Sequence, residues 1–174
     1  MAGTLSNFII RGFQFLFGIV VLGLSVTLIR AHHWGNLPAT LGFAAVVGGV
    51  SILGALIGLA GTWFSFLDGA IGLIVDGLVA LINAAGGILM AIKLQGVQCK
   101  DGTDRANGEK ILGNDLLNGG CIKNVGCYWV LKQDVGQLLS SCRSSQADTV
   151  FMFLTIAVLF ASALLTFLRM RKGY

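Results

Sequence analysis

The chain has 174 residues, of which 55% are hydrophobic and only 11% charged, with a mean hydropathy of +0.82. An ordinary soluble domain carries about 25% charged residues, so this composition excludes that class and points to a membrane protein. The formal net charge of +4 comes from basic residues scattered over several connections, and without a basic block a nucleic-acid partner is excluded.

The first apolar run, residues 12–29, follows Arg11 directly. It exceeds the apolar core of about 7–15 residues usual in a signal peptide, so it reads as an uncleaved first span. Gln14, Gly18, Val21 and Ser25 give it a semi-polar face suited to meeting the third span. In the connection RAHHWGNLP, Trp34 suits the headgroup layer and Pro38 the start of a helix. His32 and His33, the only histidines, lack further ligands at useful spacing and read as interfacial.

The second span, 39–62, is rich in small residues. Ala44, Gly48, Ser51, Ala55, Gly58 and Thr62 recur at steps of four and three, the seam of a left-handed helix pair, and Gly54 with Gly58 adds a GxxxG pair. Packing inside the bundle is the simpler use of such a seam, and a dimer contact the other. After a turn around Trp63 to Asp68, the third span, 69–92, carries one acid, Asp76.

At a rise of about 1.5 Å per residue the third span matches a hydrocarbon core of about 30 Å. Gly69, Gly72, Asp76, Ala80, Asn83 and Gly87 share one helical face, and Ile71, Ile74, Val75, Leu78, Leu81, Ile82 and Leu89 lie largely elsewhere. The small and polar stripe should face protein, because a carboxyl or amide among acyl chains lacks a partner and small residues let helices approach closely. An acid deep in a membrane helix costs about 2.5–3.5 kcal/mol on insertion scales, so Asp76 needs a partner or a purpose. The four spans contain no second acid and no Lys or Arg; Gln14, Ser25, Asn83 and Ser162 are the candidate partners.

Residues 93–148 form a polar loop that holds every cysteine: Cys99, Cys121, Cys127 and Cys142. An even set confined to one soluble loop reads as two disulfides on the oxidising side, with three pairings open. Zinc is the weaker use, since tight CxxC pairs are missing. Tyr128, Leu131, Val135, Leu138 and Cys142 share a helical face, which predicts a short amphipathic helix on the bilayer or across the bundle mouth.

The fourth span, 149–168, turns Thr155, Ser162 and Thr166 toward the bundle and ends in RMRKGY. Arg169, Arg171 and Lys172 favour a cytoplasmic C-terminus, and four crossings place the N-terminus with Arg11 there too. The expected fold is therefore an all-α membrane protein, residues 1–174 forming a four-helix transmembrane bundle with a disulfide-containing extracellular loop.

The segments FGIVVLGLSVTLI, LIVDGLVALINAAGGILMAI, LQGVQC, NGGC and QADTVF, spread over nearly the whole chain, resemble four-spanning fungal proteins of the MARVEL type, and among them the non-classical export protein group. The resemblance implies a single MARVEL-like domain with cytosolic termini, in the plasma membrane or vesicles derived from it. It also implies association with sterol- and sphingolipid-rich microdomains and work in membrane organisation or traffic.

No nucleophile triad, HExxH, phosphate-binding glycine loop or paired intramembrane carboxylate is present, so the chain reads as a non-enzyme without cofactor or metal. The expected function is that of a structural, lipid-organising protein, self-associating as a homo-oligomer through its Gly- and Ala-rich faces. The alternative is a small transporter or channel subunit using Asp76.

Overall fold

A computed structural model of the protein describes residues 2–63, 70–99 and 105–171. The turn expected at Trp63 to Asp68, Gly69 and the terminal Lys172 lie wholly or largely outside the described residues. The elements run α1 (Ala2–Ala31), α2 (Ala39–Ala60), α3 (Ala70–Lys93), α4 (Arg105–Leu112), β1 (Cys121–Ile122), β2 (Gly126–Cys127), α5 (Tyr128–Leu131) and α6 (Val135–Arg171). Helices α1, α2, α3 and α6 are long and apolar enough to cross a membrane. Lipid offers no hydrogen bonds to a backbone, so each crossing segment must satisfy its own amides and carbonyls as a helix.

Around the bundle, α1 packs against α2 and α6, and α3 packs against α2 and α6. The first and third spans, expected to pack together, stand instead across a diagonal. Each helix turns a stripe inward at alternating steps of three and four residues. On α1 the stripe is Arg11, Gln14, Gly18, Val21, Ser25 and Leu28; on α6 it includes Ser145, Asp148, Met152, Thr155, Leu159 and Ser162. Of the aliphatic residues assigned to lipid on α3, Ile71, Ile74, Leu78, Leu81 and Leu89 are exposed, whereas Val75 is half-buried and Ile82 packs against Val21, Ala44, Val47 and Met152 inside the bundle.

Small residues set the helix separation. A Cβ at Gly48 would lie 2.6 Å from the backbone nitrogen of Leu22, and one at Gly54 would lie 2.8 Å from Val79 Cγ2. The α2 seam is thus occupied by α1 and α3 within one chain. Gly87 packs against the ring of Phe153. Gly72 and Ala80 are half-buried, and Val79, not Ala80, joins the inward stripe of α3.

The fourth crossing helix starts earlier than expected. α6 has 37 residues, about 55 Å of helix, so it exceeds the hydrocarbon thickness and its first turns rise above the bundle. The predicted amphipathic helix does not exist as one unit: Tyr128 and Leu131 lie on the single turn α5, while Val135, Leu138 and Cys142 belong to α6. Lys132 to Asp134 break the chain between them, with Gln133 at φ 54°, and Asp134 Oδ1 accepts from the Gln137 amide at 2.9 Å to start α6.

The expected loop is a folded cap. Leu94, Val97, Ile111, Leu116 and Leu117 pack on Leu28, Leu41, Met90, Leu138 and Cys142 at the bundle mouth. The disulfides join Cys99 to Cys142, tying the exit of α3 to the start of α6, and Cys121 to Cys127, across the β1–β2 hairpin. All four cysteines, for which zinc was the weaker use, are therefore bonded in pairs.

Besides lying at the end of a crossing helix, Trp34 and His33 hold the cap in place. His33 and Trp34 donate backbone bonds to the Gly119 carbonyl at 2.8 and 3.1 Å, and their rings lie 4.3 and 5.2 Å from the Tyr128 ring. Gly120, at φ 92°, sits so close to the Trp34 carbonyl that a Cβ would overlap it, so only glycine fits there.

Candidate functional site

One group of polar residues, drawn from all four crossing helices, meets in the half of the bundle from which both termini emerge. Arg11 lies in the third turn of α1, and across the diagonal Asp76 lies in the second turn of α3. A diagonal is too wide for a short acid and a short polar residue, and the long guanidinium arm bridges it. Arg11 Nη1 donates to Asp76 Oδ1 at 2.5 Å and Nη2 to Oδ2 at 2.8 Å, a two-pronged pair. Both residues are buried, at 4% and 2% exposure.

Every helix contributes to the pair. Ser162 of α6 donates to Asp76 Oδ2 at 2.9 Å, and Gln14 of α1 accepts from Arg11 Nη1 at 2.8 Å. On α2, Gly58 lies against the guanidinium, in the space its own Cβ would fill. One turn deeper, Gln14 Nε2 donates to the Ser51 carbonyl at 3.3 Å, and Asn83 Nδ2 donates to Ser51 Oγ at 2.8 Å. Gly54 makes room for this layer beside Gln14.

Of the partners expected for Asp76, Ser162 bonds it directly and Gln14 reaches it through Arg11. Asn83 serves Ser51 instead, and Ser25 is at the opposite end of the bundle. The main correction is Arg11, expected as a charge flanking the first span, which is buried as the acid's cation. The spacing held the signal: stepping back three residues from Gln14 along the stripe Gln14, Gly18, Val21, Ser25 reaches Arg11. Isolated, a cation and an anion at this depth each cost several kcal/mol, and mutual contact with further hydrogen bonds offsets that cost; both carboxylate oxygens and both terminal guanidinium nitrogens are engaged, while Arg11 Nε is buried without a partner.

A second acid was missed. Asp148 is fully buried on α6 and accepts from Ser25 Oγ of α1 at 2.9 Å. Its other oxygen, with Ser145 Oγ, has no protein partner. Hydropathy alone starts the span one residue later, at Thr149, whereas the inward stripe of α6 runs through Asp148.

The crossing helices and the ion-paired interior define a membrane protein of the tetraspanning class, with its polar groups turned inward and its apolar groups outward. The family model of the MARVEL membrane-associating domain matches residues 4–165, and the chain belongs to that family. No curated protein and no solved structure matches it at a significant level.

Proposed function

We propose that the protein is a lipid-organising scaffold of the plasma membrane, similar in role to the non-classical export proteins its segments resemble. In this reading both termini face the cytoplasm, the capped end faces outward, and copies assemble into a homo-oligomer around sterol- and sphingolipid-rich patches. The reading follows chiefly from one observation: the bundle's Arg11–Asp76 pair is closed by Gln14, Ser162 and Gly58. A bundle whose interior is locked in this way acts through its outside, and its outside is apolar and turned to lipid.

The transporter alternative, built on Asp76, needed that acid free to take up and release a proton or ion. Asp76 is held by a cation and a hydroxyl, and the step of opening that pair has no evident driving group among the described residues. The GxxxG glycines of α2 face Val79 and Arg11 inside the bundle, so self-association would use other faces.

Native mass spectrometry of the protein extracted in mild detergent, with bound lipids identified after release, tests the proposal. A defined oligomer enriched in sterol or sphingolipid over the bulk membrane is the expected result. A lipid-poor monomer, or a proton-coupled flux in vesicles that Asp76→Asn abolishes, would overturn it.

A further inference from the structure

The cap carries apolar side chains that its own core leaves uncovered. Ile122 and Val125 of the hairpin are 43% and 55% exposed, and Val130, Leu131 and Val135 beyond it are 40%, 54% and 58% exposed. They form one locality: the β1–β2 hairpin is closed by Cys121–Cys127, and a Cβ on Gly126 would touch Leu131 at 3.7 Å. Lys123 and Lys132 are exposed among them. Apolar residues with interleaved lysines on a polar loop are unusual if the segment stands in water.

The level of this locality along the bundle identifies its surroundings. Trp129 of α5 donates its indole N–H to the carbonyl of Ala31, the last residue of α1, at 3.1 Å. α5 is thereby fixed at the height where an apolar crossing helix ends, which is the headgroup layer. Tyr128, Trp129, His33 and Trp34 cluster at the same height, with Tyr128 and Trp129 rings 4.8 Å apart, and such rings favour that boundary. Lys132 Nζ lies 5.7 Å from the Tyr128 ring, within reach of a lipid phosphate. The hairpin is held in shape by its disulfide, so seating it in lipid sacrifices little chain entropy.

We infer that the hairpin and α5 form an interfacial ledge, seated by Ile122, Val125, Val130 and Leu131 in the headgroup and upper acyl region of the leaflet on the cap's side, with Lys123 and Lys132 at the phosphates. Its partner is the lipid surface itself. The ledge enlarges the protein's cross-section in one leaflet only, a wedge that favours curvature away from the uncapped side. The inference rests on the membrane-spanning bundle and the cap, and holds whichever lipids the bundle gathers.

A fluorescent amino acid placed at Val125 or Leu131 of the full chain, reconstituted in phosphatidylcholine vesicles, tests this. Lipids brominated high on the acyl chain should lower its emission, since a side chain seated at that boundary lies within the upper acyl region, and leave the same probe at Glu109 unaffected. Glu109 is exposed on α4 of the same cap, and intact disulfides on non-reducing gels verify folding. Quenching at Val125 and Leu131 no greater than at Glu109, with full access to an aqueous quencher, would overturn the ledge. So would shielding from both quenchers, which would show a second copy of the chain covering the patch.

Discussion

The two ends of the bundle solve the same problem, holding four helices together, by opposite means. At the end bearing the termini, an ion pair and its hydrogen-bonding partners join all four helices from within. At the capped end, aliphatic packing and the Cys99–Cys142 disulfide do the work. In lipid the hydrophobic effect does not drive helices together, so the buried end relies on polar contacts and close packing; in the cap, which meets water, apolar burial is effective again.

The two buried acids sharpen the contrast. Asp76 has a bidentate cation, whereas Asp148, nearer the cap, has one serine hydroxyl. The charged pair stands where four helices must be aligned in register, and a guanidinium fork fixes both distance and direction. The carboxyl at the capped end sits beneath a structure already pinned covalently.

The comparison breaks most visibly if either charge is removed alone. Asp76→Ala or Arg11→Ala leaves an uncompensated buried charge and should destabilise the bundle by about 3–5 kcal/mol, the cost typical of half a buried pair. Loss of a monodisperse peak and a lowered unfolding midpoint in mild detergent would register it. Arg11→Met combined with Asp76→Leu should recover much of that loss; a single variant that melts like the wild type would refute the lock.

The capped end should respond to covalent change in proportion to loop length. Cys99 and Cys142 are 43 residues apart, and Cys121 and Cys127 six. Chain-entropy reasoning assigns roughly 4 kcal/mol to the long closure and roughly 2 kcal/mol to the short one. Paired serine variants compared by thermal unfolding should show that order, and the reverse order would show that the hairpin, not the α3–α6 tie, anchors the cap.

The smallest effect belongs to the solvent-facing ion pair between Lys93 and Asp115, whose atoms lie 3.6 Å apart on half-exposed side chains. Lys93→Ala should change stability by less than about 1 kcal/mol. A loss comparable to that of Arg11→Ala would mean that exposure is a poor guide to what holds this molecule together.

Much of this was legible from residue order. The steps of three and four in Ala44, Gly48, Ser51 and Ala55 identified a seam that the structure buries. The stripe of α3 placed Asp76 and Asn83 inward correctly, because an amphipathic period survives in lipid with its polar side reversed. Arg11 was misread because a basic residue just before an apolar run has the statistics of a topology signal, and only its place on the stripe argued otherwise. The amphipathic loop helix was misread because helical spacing continues across Lys132 to Asp134, where the backbone turns.

Sequence by itself determined that four apolar segments cross the membrane, that the cysteines gather in one connection and that the acid must face protein, since each follows from hydrophobicity, spacing or the cost of an unpaired group. Which helices share a wall, which stand on a diagonal, and therefore which cation meets the acid, was decided only in the tertiary structure. The reason is geometric: a contact between residues 65 apart in the chain depends on the separation and rotation of helices, and those are set jointly by every side chain packed between them.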